Sequence, residues 1–345
     1  MNRRNQNKPT YELGEVRIGV QSPGEGWLKL NGSLIDKNTL LGSKLDKFGF
    51  FNWVTQTSNF GSSNINEVAY GNGLWVAAGS GGTIRSSTDA ITWVTQTSNF
   101  GTSPIFSVAY GNGIWVAGGN GGAIRTSTDG ITWVTQVSNA PNSFYTVAYG
   151  NNLFVVGGTL GTLRTSTNGV TWVTRTTNNT SDIVRVIYGN GLWLATGLNN
   201  QVRTSTDAIT WVTRVSNFSS GDIYAAAYYN NSWVISGGGL IGTSTDAITW
   251  TSQDSIGFGV SDIFYSNNSG IFFAVGSAGR ISTSIDSITW ITKTSNFGTS
   301  AIYSIENSND LWVIGGVGGQ IRTSSSPELP TLNFGNNVWG WIYSE

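Results

Sequence analysis

Charged chemistry in this sequence rests on carboxylates and arginines. There are 19 Asp and Glu against 18 Lys and Arg, with no His and no Cys. Those absences remove the imidazole base, the thiolate nucleophile, the disulfide and most transition-metal ligand sets, so neither a metal site nor a cofactor is expected. A pair of carboxylates is the one hydrolytic device left, and two of them flanking a glycosidic bond are what most glycosidases use. The candidates are Glu67, Asp182, Asp222, Asp262 and Glu306. Arginine recurs at Arg85, Arg125, Arg164, Arg203 and Arg322, always in the same local phrase. A net charge of -1 and the lack of any long basic run argue against nucleic acid as a partner. No long apolar stretch follows the basic start, and none reaches about 18 residues, so neither a signal peptide nor a membrane span is expected.

The elements that must position these residues form a repeat. Tryptophans of the phrase Ile-Thr-Trp-Val-Thr recur at Trp93, Trp133, Trp172, Trp211, Trp250 and Trp290, 39 or 40 residues apart, with Trp53 as an upstream seventh member. Each unit holds four short runs of β-branched and aromatic residues separated by turn residues, the pattern of a four-stranded antiparallel meander. Asn72-Gly73, Asn112-Gly113 and Asn190-Gly191 join the first pair of runs as type I′ hairpin turns, which need positive φ at both central residues.

Counting runs predicts the closure. Inner strands are expected to begin near Ile65, Ile105, Phe144, Ile183, Ile223, Ile263 and Ile302, giving seven units. The last lacks a fourth run, whereas Phe51 to Thr57 is a fourth run with no unit before it. Pairing the two predicts an all-β, seven-bladed β-propeller over residues 51–326, closed by strand exchange and free of an exposed edge. With 39% hydrophobic residues the chain has material for such a core.

The third junction of each unit is its most specific signal. Ser-Thr (Ser-Ile in the last copy) precedes Asp89, Asp129, Asn168, Asp207, Asp246 and Asp286, and a Trp follows each four residues later. The short acceptor is suited to bonding the turn's own backbone while the indole covers the hairpin. This pattern resembles the Asp-box, or BNR repeat, of sialidase-type propellers, although Ala90, Ala208, Ala247 and Ser287 stand where that box usually has glycine. The resemblance invites a sialidase reading of the arginines as a carboxylate-binding triad. Their equivalent positions would spread them around the ring, however, and Gly242 and Ser282 replace them in two blades, so stacking on a Trp or pairing with a carboxylate is expected instead. No acid, base and tyrosine nucleophile set stands out, and the chain is read as no enzyme. Asp182, Asp222 and Asp262 precede the inner strands of blades 4 to 6 and are separated by whole blades.

Binding is expected where the repeat varies. The second residue of the inner strand reads Asn66, Phe106, Tyr145, Val184, Tyr224, Phe264 and Tyr303, and the aromatic members at the rim of the axial funnel are the candidates for stacking on a sugar. Residues 1–50 and 327–345 do not repeat. Ile18, Pro23, Trp27, Leu28, Asn31, Gly32 and Leu41, with the Leu-Pro phrase and aromatic run of the C-terminal segment, resemble the phage tail-collar domain of short tail fibres. That resemblance implies a bacteriophage virion protein, localised to tail or capsid surface, with the propeller inserted in an attachment module. The expected partners are other virion proteins and a host cell-surface glycan, and a homo-oligomer is compatible with it. Capsid decoration, or a structural spacer, is the alternative, and a glycosidase stands further off.

Overall fold

The computed structural model describes residues 16–19, 27–30, 51–325 without 178–179, 219–220, 254, 268–269 and 294, and 339–343. The chain divides into two compact units, Met1–Phe51 with Ser326–Glu345, and Asn52–Ser325. In the first, the strand Trp339–Tyr343 lies between Val16–Gly19 and Trp27–Leu30 and is antiparallel to both. The two ends of the chain therefore share one sheet. Of the residues that carry the collar resemblance, Pro23, Asn31, Gly32 and Leu41 lie outside the described set.

The second unit is a ring of seven four-stranded antiparallel sheets. Blade 1 runs Ile65–Gly71, Leu74–Gly79, Ile84–Ser87 and Val94–Gln96, from inner to outer strand. Its second strand is buried along almost its whole length because it is covered on both faces by neighbouring blades, which is why it reads as a continuous apolar run. The outer strand is open instead: Val94 and Thr95 are exposed, and the buried Trp93 lies just before them. Cohesion lies between the blades. Val76, Ala78 and Ile84 of blade 1 pack on Phe100, Ile105, Val108, Trp115 and Trp133 from blade 2 and the loop leading into it. A Val, Ile or Phe among them contributes about 1.5 to 3 kcal/mol on burial. Blades also meet closely at Gly111, where a β-carbon would fall 2.0 Å from the Tyr149 ring of the next blade.

The hairpin turns follow the sequence. Asn72 and Gly73 have φ of 49° and 78°, and the same positive pair occurs at Asn151-Asn152, Asn230-Asn231 and Asn309-Asp310, where no glycine is present. Asparagine tolerates the left-handed region better than other non-glycine residues, so the turn survives.

Blade 7 consists of Ile302–Ser308, Leu311–Gly316, Ile321–Ser325 and the N-terminal strand Val54–Gln56, which pairs Val54 with Thr323 and Gln56 with Ile321. The seam repeats the bonds of an unbroken blade: the Gln56 side-chain amide donates to Thr323 Oγ1 at 2.7 Å, as Gln136 donates to Thr126 Oγ1 in blade 2. Strand exchange thus closes the ring without a special device.

Candidate functional site

Every inner strand carries a bulge between its first and third residues. The third residue faces the following blade, and in several blades its oxygen accepts the N–H of the following blade's fourth residue. Ser107 accepts from Val147 at 3.0 Å, Thr146 from Val186 at 3.1 Å, Asp262 from Ile305 at 3.1 Å and Ser304 from Val68 at 3.0 Å. A short side-chain acceptor satisfies this duty, so Ser or Thr suffices. Three strands hold a charge there instead: Glu67 in blade 1, Arg185 in blade 4 and Asp262 in blade 6.

Those charges meet. Arg185 Nη2 lies 2.8 Å from Asp262 Oδ1 and Nη1 lies 3.5 Å from Glu67 Oε2, with side-chain exposures of 23%, 3% and 14% for Arg185, Asp262 and Glu67. Arg185 passes blade 5, whose third residue is Ala225, the smallest side chain of the set and fully buried. The Ser304 hydroxyl donates to Glu67 Oε1 at 3.3 Å. Glu306, two residues beyond Ser304, joins the group electrostatically and accepts the Asn307 N–H at 2.9 Å. Burial pushes the Glu67 carboxyl up to about 7, against the pull of Arg185 and with a push from Asp262. Burial likewise takes Glu306 to about 8, with Asp262 and Glu67 adding to the rise. Burial also raises the Asp262 carboxyl, only partly offset by Arg185 and the N–H groups of Ile305 and Ile263. The Arg185 guanidinium loses by burial but is held above its usual value by the three carboxylates.

The sequence pointed to these acids separately and missed Arg185. Asp262 does not precede an inner strand as Asp182 and Asp222 do: the sixth inner strand is Val260–Ser266, and Asp262 is its third residue. The phrase Asp262-Ile263-Phe264 imitates Asp222-Ile223-Tyr224, but Val260 pairs with Gly276 as Ile223 pairs with Gly237, setting the register three residues earlier. The same correction removes Phe264 from the rim. It is the fifth residue, packed edge-on against Trp312 of blade 7 with centroids 5.9 Å apart, and Ser261 occupies the second position.

The remaining second-position residues stay at the start of their inner strands. Phe106 and Tyr145 of adjoining blades meet edge to face at 5.1 Å. Tyr224 is 43% exposed, and its hydroxyl donates to Asp222 Oδ2 at 2.9 Å, which, with burial, raises the phenol's pKa. Tyr303 is half-buried. Asp222 and Asp182 also hold the preceding blade, accepting the N–H of Asn199 and Leu160 at 2.9 Å each. They therefore do local bonding work and do not converge.

The third-strand arginines find neither Trp nor carboxylate. Arg85, Arg125 and Arg322 lie over Phe60, Phe100 and Phe297 at 5.2, 4.6 and 4.9 Å, and their guanidinium groups donate to loop carbonyls such as Asn59 and Asn99. The Asn-Phe loops supply a buried ring and a carbonyl within the same blade, a local partner that a distant acid could not outcompete. Arg164 and Arg203 end on the carbonyls of Asn139 and Thr177.

At the outer end, Asp129 Oδ1 accepts the N–H groups of Ile131 and Thr132 at 2.8 Å and the Ser127 hydroxyl at 2.8 Å. Asp89, Asp207, Asp246 and Asp286 repeat this, and Asn168 does so with its amide oxygen. Trp93, Trp133, Trp172, Trp211, Trp250 and Trp290 each donate from Nε1 to the carbonyl three residues back. Ala90, Ala208, Ala247 and Ser287 take positive φ where glycine serves in blades 2 and 3. Among the described residues no group of three acids is placed to hold a metal ion.

A closed ring of seven four-stranded blades defines the chain as a seven-bladed β-propeller. Solved structures share that ring. YCF48 bound to a D1 peptide is 16% identical with a TM-score of 0.66, covering 80% of this chain and 97% of that one. YCF48 from Cyanidioschyzon merolae is 18% identical with a TM-score of 0.64, covering 79% and 98%. The WD40 β-propeller domain of Doa1 is 14% identical with a TM-score of 0.66, covering 81% and 98%. No family model and no curated protein matches the sequence.

Proposed function

We propose that this is a non-enzymatic bacteriophage virion protein, in which an Asp-box propeller inserted in a tail-collar-like attachment module recognises a glycan on the host surface. The observation that carries the reading is the connection of the chain: strands from both ends share one sheet, and the whole ring lies between them in sequence. A ring closed by its own first strand can be carried in this way without disturbing either unit. The rim supports recognition over catalysis. Phe106, Tyr145, Tyr224 and Tyr303 offer aromatic faces to a sugar, whereas Asp182 and Asp222 are engaged with the backbone of the preceding blade.

A second reading, contact with another virion protein, is favoured by the peptide-bound state of the YCF48 ring, a case of a similar propeller receiving a chain segment. Glycan-array binding by the purified full chain tests the first reading. Binding to a defined glycan that falls at least about tenfold in Tyr145→Ala and Tyr224→Ala is the expected result, as when a stacking aromatic is lost. Failure to bind any glycan overturns glycan recognition, and gold-labelled particles in the electron microscope then distinguish a tail position from a capsid decoration.

A further inference from the structure

The cluster at the axis is unbalanced in charge. Three carboxyl groups, Asp262, Glu67 and Glu306, gather around one guanidinium, Arg185. The other inner strands add none: their third residues are Ser107, Thr146, Ala225 and Ser304, and the fifth residues apart from Glu306 are Ala69, Ala109, Ala148, Ile187, Ala227 and Phe264. On the four strands that carry the cluster, Tyr70, Tyr188, Tyr265 and Tyr303 are the remaining titratable side chains. Two unopposed negative charges in so enclosed a place are costly unless they are neutralised.

Connectivity gives the cluster a mechanical role. Arg185 reaches from blade 4 to Asp262 in blade 6 and Glu67 in blade 1, and both acids are tied to blade 7, Asp262 through the Ile305 N–H and Glu67 through the Ser304 hydroxyl. Blade 7 is the one completed by the strand from the other end of the chain. The bridge therefore spans blade 7, the blade that closes the ring.

We propose that Arg185, Asp262, Glu67 and Glu306 form a proton-dependent tie across the axis: with its surplus carboxyls protonated it clamps the inner strands of blades 6, 7 and 1, and with them ionised it slackens their hold on the closing blade. Asp262 makes the closest pair, with Arg185 at 2.8 Å and the N–H groups of Ile263 and Ile305 on its oxygens, so the surplus carboxyls are Glu67 and Glu306. Glu67 and Glu306, held at about 7 and about 8 against 4.5 for an ordinary glutamate, carry the protons. Both folded values lie above the unfolded one, so the stability they contribute is fully present below pH 4.5 and is lost as pH rises through 7 and 8. The outer-turn aspartates run the other way, with values held below 3.8, and so act in a separate range.

Thermal unfolding of the full chain between pH 5.5 and 9 tests the tie. The melting temperature is expected to fall by roughly 3 to 6 °C across that range. Glu306→Gln should remove the fall above pH 7 and part of the fall below it, whereas Glu67→Gln should lessen only the fall below pH 7. Should either variant fail to fold, amide exchange of the wild-type chain decides: after correction for intrinsic rates, the inner strands of blades 6, 7 and 1 should lose protection at least about threefold more than those of blades 2 and 3 between pH 6 and 9. A flat or rising melting temperature, the same slope in Glu306→Gln, or an even loss of protection around the ring overturns the proposal.

Discussion

The outer turns and the inner strands stand at opposite edges of the same blades and treat sequence in opposite ways. At the outer edge, six turns place a Trp Nε1 on a carbonyl and an Asp or Asn oxygen on two backbone N–H groups, the latter with bond lengths that barely change from copy to copy. At the inner edge, the third residue changes from Glu67 to Ser107, Thr146, Arg185, Ala225, Asp262 and Ser304. The outer turn solves a problem internal to each blade, closing a hairpin and sealing its face, so one solution is repeated. The inner position borders a space shared by all blades, and there a side chain has meaning only against those opposite it. Repetition marks what a blade needs, and departure from repetition marks what the ring needs.

Removing an outer tryptophan should show the largest effect. Trp133 is 1% exposed and packs with Val76, Ala78 and Ile84 of blade 1, so Trp133→Ala opens a cavity between two blades. A loss of about 3 to 5 kcal/mol in denaturant unfolding is expected. Trp290, which is only partly buried in its cluster, should lose less on the same change. Equal losses at both sites would mean that the seal acts through the turn hydrogen bond, which the two share, and not through burial.

The inner edge should answer to a single residue. Arg185→Met removes the one cation facing three carboxyls, and its expected cost at pH 8 is about 3 kcal/mol, the low end for a broken buried pair because the acids can take up protons. The loss should shrink as pH falls toward 5.5, where Glu67 and Glu306 are neutral in either protein. Thr146→Val, which takes the acceptor from the Val186 N–H but no charge, should cost less and show no such recovery. A pH-independent loss in Arg185→Met would reduce Arg185 to packing and erase the contrast between the two edges.

The same contrast explains what could be read in advance. Blade number, turn type and the strand-exchange seam were legible because each rests on local chemistry repeated several times: Asn-Gly turns, Ser-Thr-Asp junctions, and one missing outer strand matched by one spare. Local chemistry also misled. Asp262-Ile263-Phe264 looks like the start of an inner strand, and only pairing with Gly276 across the hairpin shows it to be three residues further in. The axial cluster was hidden for a deeper reason. Glu67 and Arg185 are 118 positions apart, and no repeat relates a glutamate in blade 1 to an arginine in blade 4; closure of the ring brings them together. One signal was present. A column of the repeat that otherwise reads Ser, Thr or Ala holds two acids and a base, and opposite charges at one structural level of a closed ring have the axis in common.

The smallest expected effect asks how far the outer edge depends on charge. Asp129 and Asn168 occupy equivalent turns, and their oxygens accept from the two following N–H groups at 2.8 Å and 2.9 Å respectively. Blade 3 thus already shows that an amide can do the work. Asp129→Ala leaves two N–H groups without their acceptor and should cost about 0.5 to 2 kcal/mol, as loss of a local capping bond does. Asp129→Asn keeps the oxygen and should cost less than about 0.5 kcal/mol at neutral pH, since an exposed charge-assisted bond is worth little more than a neutral one. The pH dependence separates the two effects. The Thr132 N–H and its neighbours hold the Asp129 carboxyl below 3.8, so its contribution is present above that value and is lost as pH falls through the lower folded one, whereas the asparagine variant has nothing there to titrate. Acid unfolding of the two proteins should therefore converge at low pH. If Asp129→Asn instead costs as much as Asp129→Ala, the charge is what holds the turn, and the outer edge is no more a matter of plain repeated geometry than the inner one.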